Sequence, residues 1–277
     1  MQARGRAVSR PGIKCPEGVA MFLKNVPRQY LEGSWHPLAV FILLGFGVWL
    51  LIAAGDAERS YLKEVLPRAL TVGQASFNVQ AWRIGGGIYM VVVASLLVRA
   101  VGLWPLLSYT VTSWNILALR LLMTAAASAW GAQLPVLGVV AQALRFPALV
   151  GACITVSVWW LVLVPAISAL LSKEPEKQRG FILFNFSPLL LNVHLLNLPI
   201  ALADLLQSAA PLAFFDLWAG FVVMFLYIMM YLNYMDPMGL HFYIVFTPRT
   251  PWVVLTYSAV ISLYYGYYRL TNFLVAN

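Results

Sequence analysis

Only 10% of the 277 residues are charged, against 61% hydrophobic, and the mean hydropathy is +0.80. A soluble chain of this length needs a charged shell, so the scarcity excludes a water-facing globular protein and points to an integral membrane protein. Cysteine is nearly absent. Cys15 sits in the N-terminal segment and Cys153 inside an apolar run, which excludes a disulfide framework and a cysteine metal site. The histidines His36, His194 and His241 lie far apart, and none has a second ligand at helical spacing. There is no G-x-S-x-G elbow, phosphate loop or dinucleotide fingerprint, so the enzyme classes those motifs mark are excluded, and neither a metal nor a cofactor is implied. Period-two alternation is missing as well: the apolar runs are continuous, which selects helices over a barrel.

What is present is a series of seven apolar runs, each near the roughly 20 residues that cross a hydrocarbon core of about 30 Å. They cover 36–55, 83–104, 106–130, 146–171, 181–204, 211–234 and 251–274. The expected fold is therefore an all-α integral membrane protein with seven transmembrane helices. A basic arm (1–35) precedes an additional helix (36–55), an extramembrane connector (56–82) and a six-helix membrane bundle (83–277). The second and third runs nearly touch and predict a tight antiparallel pair. The run "LPVLGVVAQAL" at 134–144 is too short to span and reads as an interfacial or re-entrant piece.

Lysine and arginine in the short flanks set the orientation. Arg4, Arg6, Arg10, Lys14, Lys24 and Arg28 face only Glu17 and Glu32 in the arm, which keeps the N-terminus on the cytoplasmic or matrix side. Seven crossings put the loop with Lys173, Lys177 and Arg179 on that same side, while Arg59, Lys63 and Arg68 fall on the other with Asp56, Glu58 and Glu64 beside them. Half of the net charge of +8 comes from the arm; anionic headgroups and insertion bias account for it, so no nucleic-acid partner is implied. "MQARGRAVSRPGIK" carries four basic residues and no acid, the composition of an organellar import sequence or of a basic tail. The expected location is an organellar membrane, with the mitochondrial inner membrane favoured, or an endomembrane.

Polar residues inside the runs need a reason, because lipid cannot solvate them. In "NVHLLNLPIALAD" at 192–204, with His194 taken as zero, Asn197, Ala201 and Asp204 fall about 60°, 20° and 80° away on one side of a helix. That stripe must face protein or a water-filled cavity. Asn192 sits about 200° round, and Pro199 frees the carbonyl of Leu195. Arg120 is the second anomaly, near the middle of the third run, with Asp204 and Asp216 as partners by composition. Thr110, Thr112, Ser113 and Asn115 make the third run the other polar one, so a site between the third and fifth runs is expected. For each of these residues alone, ordinary hydrogen bonding between helices is a sufficient account.

Three stretches, "YTVTSWNILAL", "NVHLLNLPIALAD" and "YIMMYLNYMDPMGLHFYIVFTPRTPW" leading to "SLYYGYY", resemble in order the landmarks of the androgen-induced-gene and rolling-stone-like membrane proteins. The resemblance covers residues 80–277 and implies six spans, leaving the first helix as an addition. It also implies hydrolysis of fatty acid esters of hydroxy fatty acids by an intramembrane threonine and histidine. His194 matches the family histidine, but where that branch has its threonine this chain has Ala118, so Thr110 or Thr112 would have to substitute.

Three functions are therefore expected, in this order. The first is a non-catalytic accessory subunit of a larger organellar membrane complex of respiratory type, in contact with membrane lipids and other membrane subunits. The second is a hydrolase with His194 as base and Thr110 or Thr112 as nucleophile. A small-solute or proton-coupled carrier using Arg120, His194 and Asp204 is the third, although no internal repeat supports it.

Overall fold

A computed structural model describes residues 30–70, 75–131, 133–208, 210–238, 243 and 246–276. Residues 1–29 of the basic arm, Cys15 among them, and His241 lie outside the described residues. Eight helices account for nearly all of the rest, and the described residues contain no strand. They are α1 (Pro37–Leu70), α2 (Phe77–Val101), α3 (Tyr109–Trp130), α4 (Pro135–Leu170), α5 (Pro175–Asn185), α6 (Pro188–Ser208), α7 (Phe214–Met238) and α8 (Val253–Ala276). Local chemistry sets several starts. Pro37, Pro135, Pro175 and Pro188 each occupy the first helical position, where a missing N–H costs nothing. His36 Nδ1 accepts from the Leu38 N–H and Ser108 Oγ from the Val111 N–H, capping α1 and α3. Gly102, at φ +88°, ends α2 in a conformation that favours glycine.

Five helices, α1, α2, α4, α6 and α7, are long and apolar enough to cross a membrane. The other two expected spans form as helices of 22 and 24 residues, α3 and α8, but do not reach that apolarity. The reason for α3 is its position. It packs on α2, α4 and α6, so its polar residues meet protein rather than lipid. Tyrosines, Arg269 and Asn272 lower the apolarity of α8. Outward-facing side chains such as Phe41, Leu51 and Ile52 are about three-quarters exposed, as a lipid-facing surface requires.

Several expected boundaries move. Helix α1 does not stop at 55. It runs 34 residues, about 51 Å, so its last turns with Asp56, Glu58, Arg59, Lys63, Glu64 and Arg68 continue as helix where a connector was expected. Ala57, Ser60, Val65 and Ala69 are buried along one side of that extension, and Gly138 lies directly on the Ala69 carbonyl, which no larger residue would permit. The 134–144 piece is joined to the fourth span as one helical run, bent at Leu144; Pro147 cannot donate to the Ala143 carbonyl there. The fifth span begins at Pro188 rather than 181, because Ser187 before the proline is held extended and splits off α5.

Four π turns interrupt the long helices, at Tyr61–Val65, Trp159–Leu163, Asn192–Leu196 and Tyr231–Met235. Each is followed after two or three residues by a proline, Pro67, Pro165, Pro199 and Pro237. A proline ring clashes with the carbonyl four residues back, and one turn of wider spacing relieves the clash without breaking the helix.

The added helix α1 is built into the bundle. Trp218 Nε1 donates to the Leu50 carbonyl at 3.0 Å, and Phe46 meets Phe221 edge-on at 5.5 Å between ring centroids. The α2–α3 pair is tight as expected: Trp114 is fully buried and donates its indole N–H to the Met90 carbonyl at 2.7 Å.

Candidate functional site

The stripe of α6 is buried as a set: His194, Asn197, Ala201 and Asp204 are each less than a tenth exposed. Asn192 lies outside it, accepting from the Tyr89 hydroxyl and donating to the Pro188 carbonyl. At the α6 C-terminal end of the stripe, Asp204 meets Arg120 of α3, whose Nε donates to Asp204 Oδ2 at 2.5 Å. Of the two carboxylates that composition allows, Asp204 is thus the partner. Arg120 Nη1 also donates to the Ala141 carbonyl, in the last turn before the bend of α4, where the main-chain ladder is interrupted. Its own carbonyl accepts from Thr124 Oγ1 at 2.7 Å. A buried guanidinium held by one carboxylate and one carbonyl is a structural arrangement that fixes three helices together.

Two further arginines complete the cluster. Arg83 of α2 is buried, with Nε 3.8 Å from Asp204 Oδ1, close enough for charge attraction and too far for a hydrogen bond. Among the described residues it donates no hydrogen bond, and both Arg83 Nε and Asp204 Oδ1 lack a partner. Arg145 of α4 is also buried. It donates to the Ala210 carbonyl and, at 3.4 Å, to the Pro211 carbonyl, which Arg68 of α1 reaches at 2.8 Å. Asp216 of α7 is within electrostatic range of Arg145 and accepts from the Ala213 N–H through Oδ2 at 2.7 Å. The signal that could have found the cluster is the presence of an arginine in four separate segments, at 68, 83, 120 and 145, all reaching the same end of the bundle.

These side chains surround a polar cavity of about 460 Å³, lined by Arg68, Arg83, Arg120 and Arg145 with Gln142 and Gln207 among its neutral groups. Its walls come from α1, α2, α3, α4 and α6.

His194 is elsewhere. It precedes Asp204 by ten residues, about 15 Å along the helix, and therefore belongs to another level of the bundle. Its ring stacks on Trp159 at 3.9 Å between centroids, and Nδ1 lies 3.1 Å from the Leu190 carbonyl. Trp160 Nε1 donates to the His194 carbonyl at 3.1 Å. In a π turn that carbonyl points to the fifth residue on, which is Pro199 and has no N–H, so the indole supplies the donor proline lacks. Trp159 in turn donates to Asn185 Oδ1 at 2.8 Å. The π turns of α4 and α6 are thereby locked to each other.

The threonines do not join His194. Thr112 Oγ1 donates to the Leu106 carbonyl at 3.3 Å, and Thr110 points into a small apolar cavity of about 90 Å³ shared with Tyr109, Tyr227, Tyr243 and Tyr264. Trp159 lines that cavity and His194 does not. Ala118 is buried in the core. Asn115 is half-buried and outside both cavities.

Asn197 is fully buried, and among the described residues neither its amide oxygen nor its nitrogen has a partner. An unmade buried hydrogen bond costs about 1–3 kcal/mol, so Asn197→Leu is expected to leave stability unchanged or raise it by about 1 kcal/mol, read as the thermal midpoint in detergent. A fall by more than that would mean that the amide is in use.

In comparison with protein-family models, with curated proteins and with solved structures, the chain finds no match.

Proposed function

We propose that this chain is a non-catalytic accessory subunit of a larger organellar membrane complex, of respiratory type in the mitochondrial inner membrane, built on an androgen-induced-like bundle with an added N-terminal helix. In this reading the chain crosses the membrane seven times with its N-terminus on the matrix side. The observation that carries it is that His194, Thr112 and Arg120 are each engaged by their own bundle. His194 is held by Trp159 and the Leu190 carbonyl, Thr112 by the Leu106 carbonyl, and Arg120 by Asp204 and the Ala141 carbonyl. A hydroxyl nucleophile needs a base within hydrogen-bond reach, and none of these pairs supplies one. The partner-facing element in this reading is the charged extension of α1, a rigid helix whose buried side is Ala57, Val65 and Ala69 and whose outer side exposes Glu58, Arg59, Lys63 and Glu64.

The test is turnover of a fatty acid ester of a hydroxy fatty acid by the full chain in lipid nanodiscs. Wild type, His194→Ala and Thr110→Val are expected to match empty nanodiscs. Turnover by wild type that His194→Ala abolishes would replace this reading with the hydrolase. The carrier reading draws on the polar cavity, but of its three residues Arg120 alone lines it, with Asp204 behind it as its ion-pair partner.

A further inference from the structure

The arginine cavity has more positive charge than its own carboxylates neutralise. Arg68, Arg83, Arg120 and Arg145 face Asp204 and Asp216, and four guanidiniums against two carboxylates leave a formal charge of +2 at the end of a bundle set in lipid. Asp204 is largely consumed by Arg120, and Arg145 by the Ala210 and Pro211 carbonyls. Arg83 is left. Only 7% exposed, it lines the cavity and donates no hydrogen bond among the described residues, and its Nε and that of Arg145 are both without partners. A buried guanidinium with its donors unused is costly, and a cavity of about 460 Å³ is far larger than one ordered water needs.

We propose that this cavity is a binding site for a phosphomonoester-class anion, held by the free donors of Arg83 with Arg68 and Arg145 around it. A phosphomonoester carries about −1.5 to −2 near neutral pH, which balances the surplus, and its tetrahedral oxygens suit the planar fork of an arginine better than a halide does. Ser76, Gln142 and Gln207 supply neutral donors on the same wall for the remaining oxygens. The cavity lies near the helix ends, because Arg83 is only six residues, about 9 Å, into α2. At that depth both a lipid headgroup of the phosphatidic acid kind and a water-soluble phosphate can enter. This site does not depend on the accessory-subunit reading, since a carrier or a hydrolase would need the same surplus neutralised.

The experiment uses the full chain in nanodiscs and reads the thermal midpoint in two arms. One arm titrates inorganic phosphate against chloride at matched ionic strength in phosphatidylcholine; the other replaces part of the phosphatidylcholine with phosphatidic acid or, as the diester control, phosphatidylglycerol. The midpoint is expected to rise with phosphate over chloride, or with phosphatidic acid over phosphatidylglycerol, and the responding arm identifies the source. Arg83→Gln should weaken the response about tenfold in ligand concentration, and Arg179→Gln, on the exposed side of α5, should not change it. Should Arg83→Gln not fold, Arg68→Gln at the half-buried rim takes its place. Equal midpoints in both arms for the wild type, or an undiminished response in Arg83→Gln, would overturn the proposal.

Discussion

Asp204→Asn is expected to lower the unfolding free energy by about 3–5 kcal/mol, the cost of removing one partner from a buried ion pair. The loss arises from what stays behind. Arg120 would keep its charge with the Ala141 carbonyl as a neutral acceptor, and Arg83 would lose the carboxylate it faces. Adding Arg83→Gln to Asp204→Asn should therefore recover part of the loss, because the two residues act on one charge balance. Reversible unfolding in mild detergent measures both. A change within about 0.5 kcal/mol for Asp204→Asn would mean that the pair is solvated and that the cavity stands open to water.

Trp114→Ala should have a comparable effect, about 3–5 kcal/mol, for a different reason. This indole is fully buried where α2 meets α3, and it spends its one N–H on the Met90 carbonyl. Within lipid there is no hydrophobic drive between helices, so their contact depends on packing of this kind and on interhelical hydrogen bonds. Trp114→Phe keeps most of the volume and loses only the donor, and should recover most of the stability. Equal losses for the two variants would assign the contact to the hydrogen bond instead.

Composition and run length were enough to read a helical membrane protein from the sequence, and helical phase was enough to place His194, Asn197 and Asp204 on a buried face. Arg120 announced itself because a guanidinium in mid-run has no bland explanation. By composition its partner is one of two aspartates, and the packing of α6 on α3 makes it Asp204. Arg83 and Arg145 were hidden by their positions: near the ends of apolar runs, arginines read as membrane flanks, and only folding shows them turned inward. The π turns had a sequence signal in Pro67, Pro165, Pro199 and Pro237, but a proline within an apolar run fits a kink, a break or a wide turn equally. Tertiary packing chooses among these. The length of α1 was missed because its charged turns look like a loop to a hydropathy reading, while Ala57, Ser60, Val65 and Ala69 give them a buried side.

The central claim, that this bundle is a structural subunit whose polar interior is not catalytic, is tested most directly by its native mass. The protein is solubilised mildly from its own membranes and run by native electrophoresis, with mass spectrometry of the band. Co-migration with a large complex at fixed stoichiometry is the predicted result. Migration as the 30.7 kDa chain with its detergent and lipid alone would contradict it.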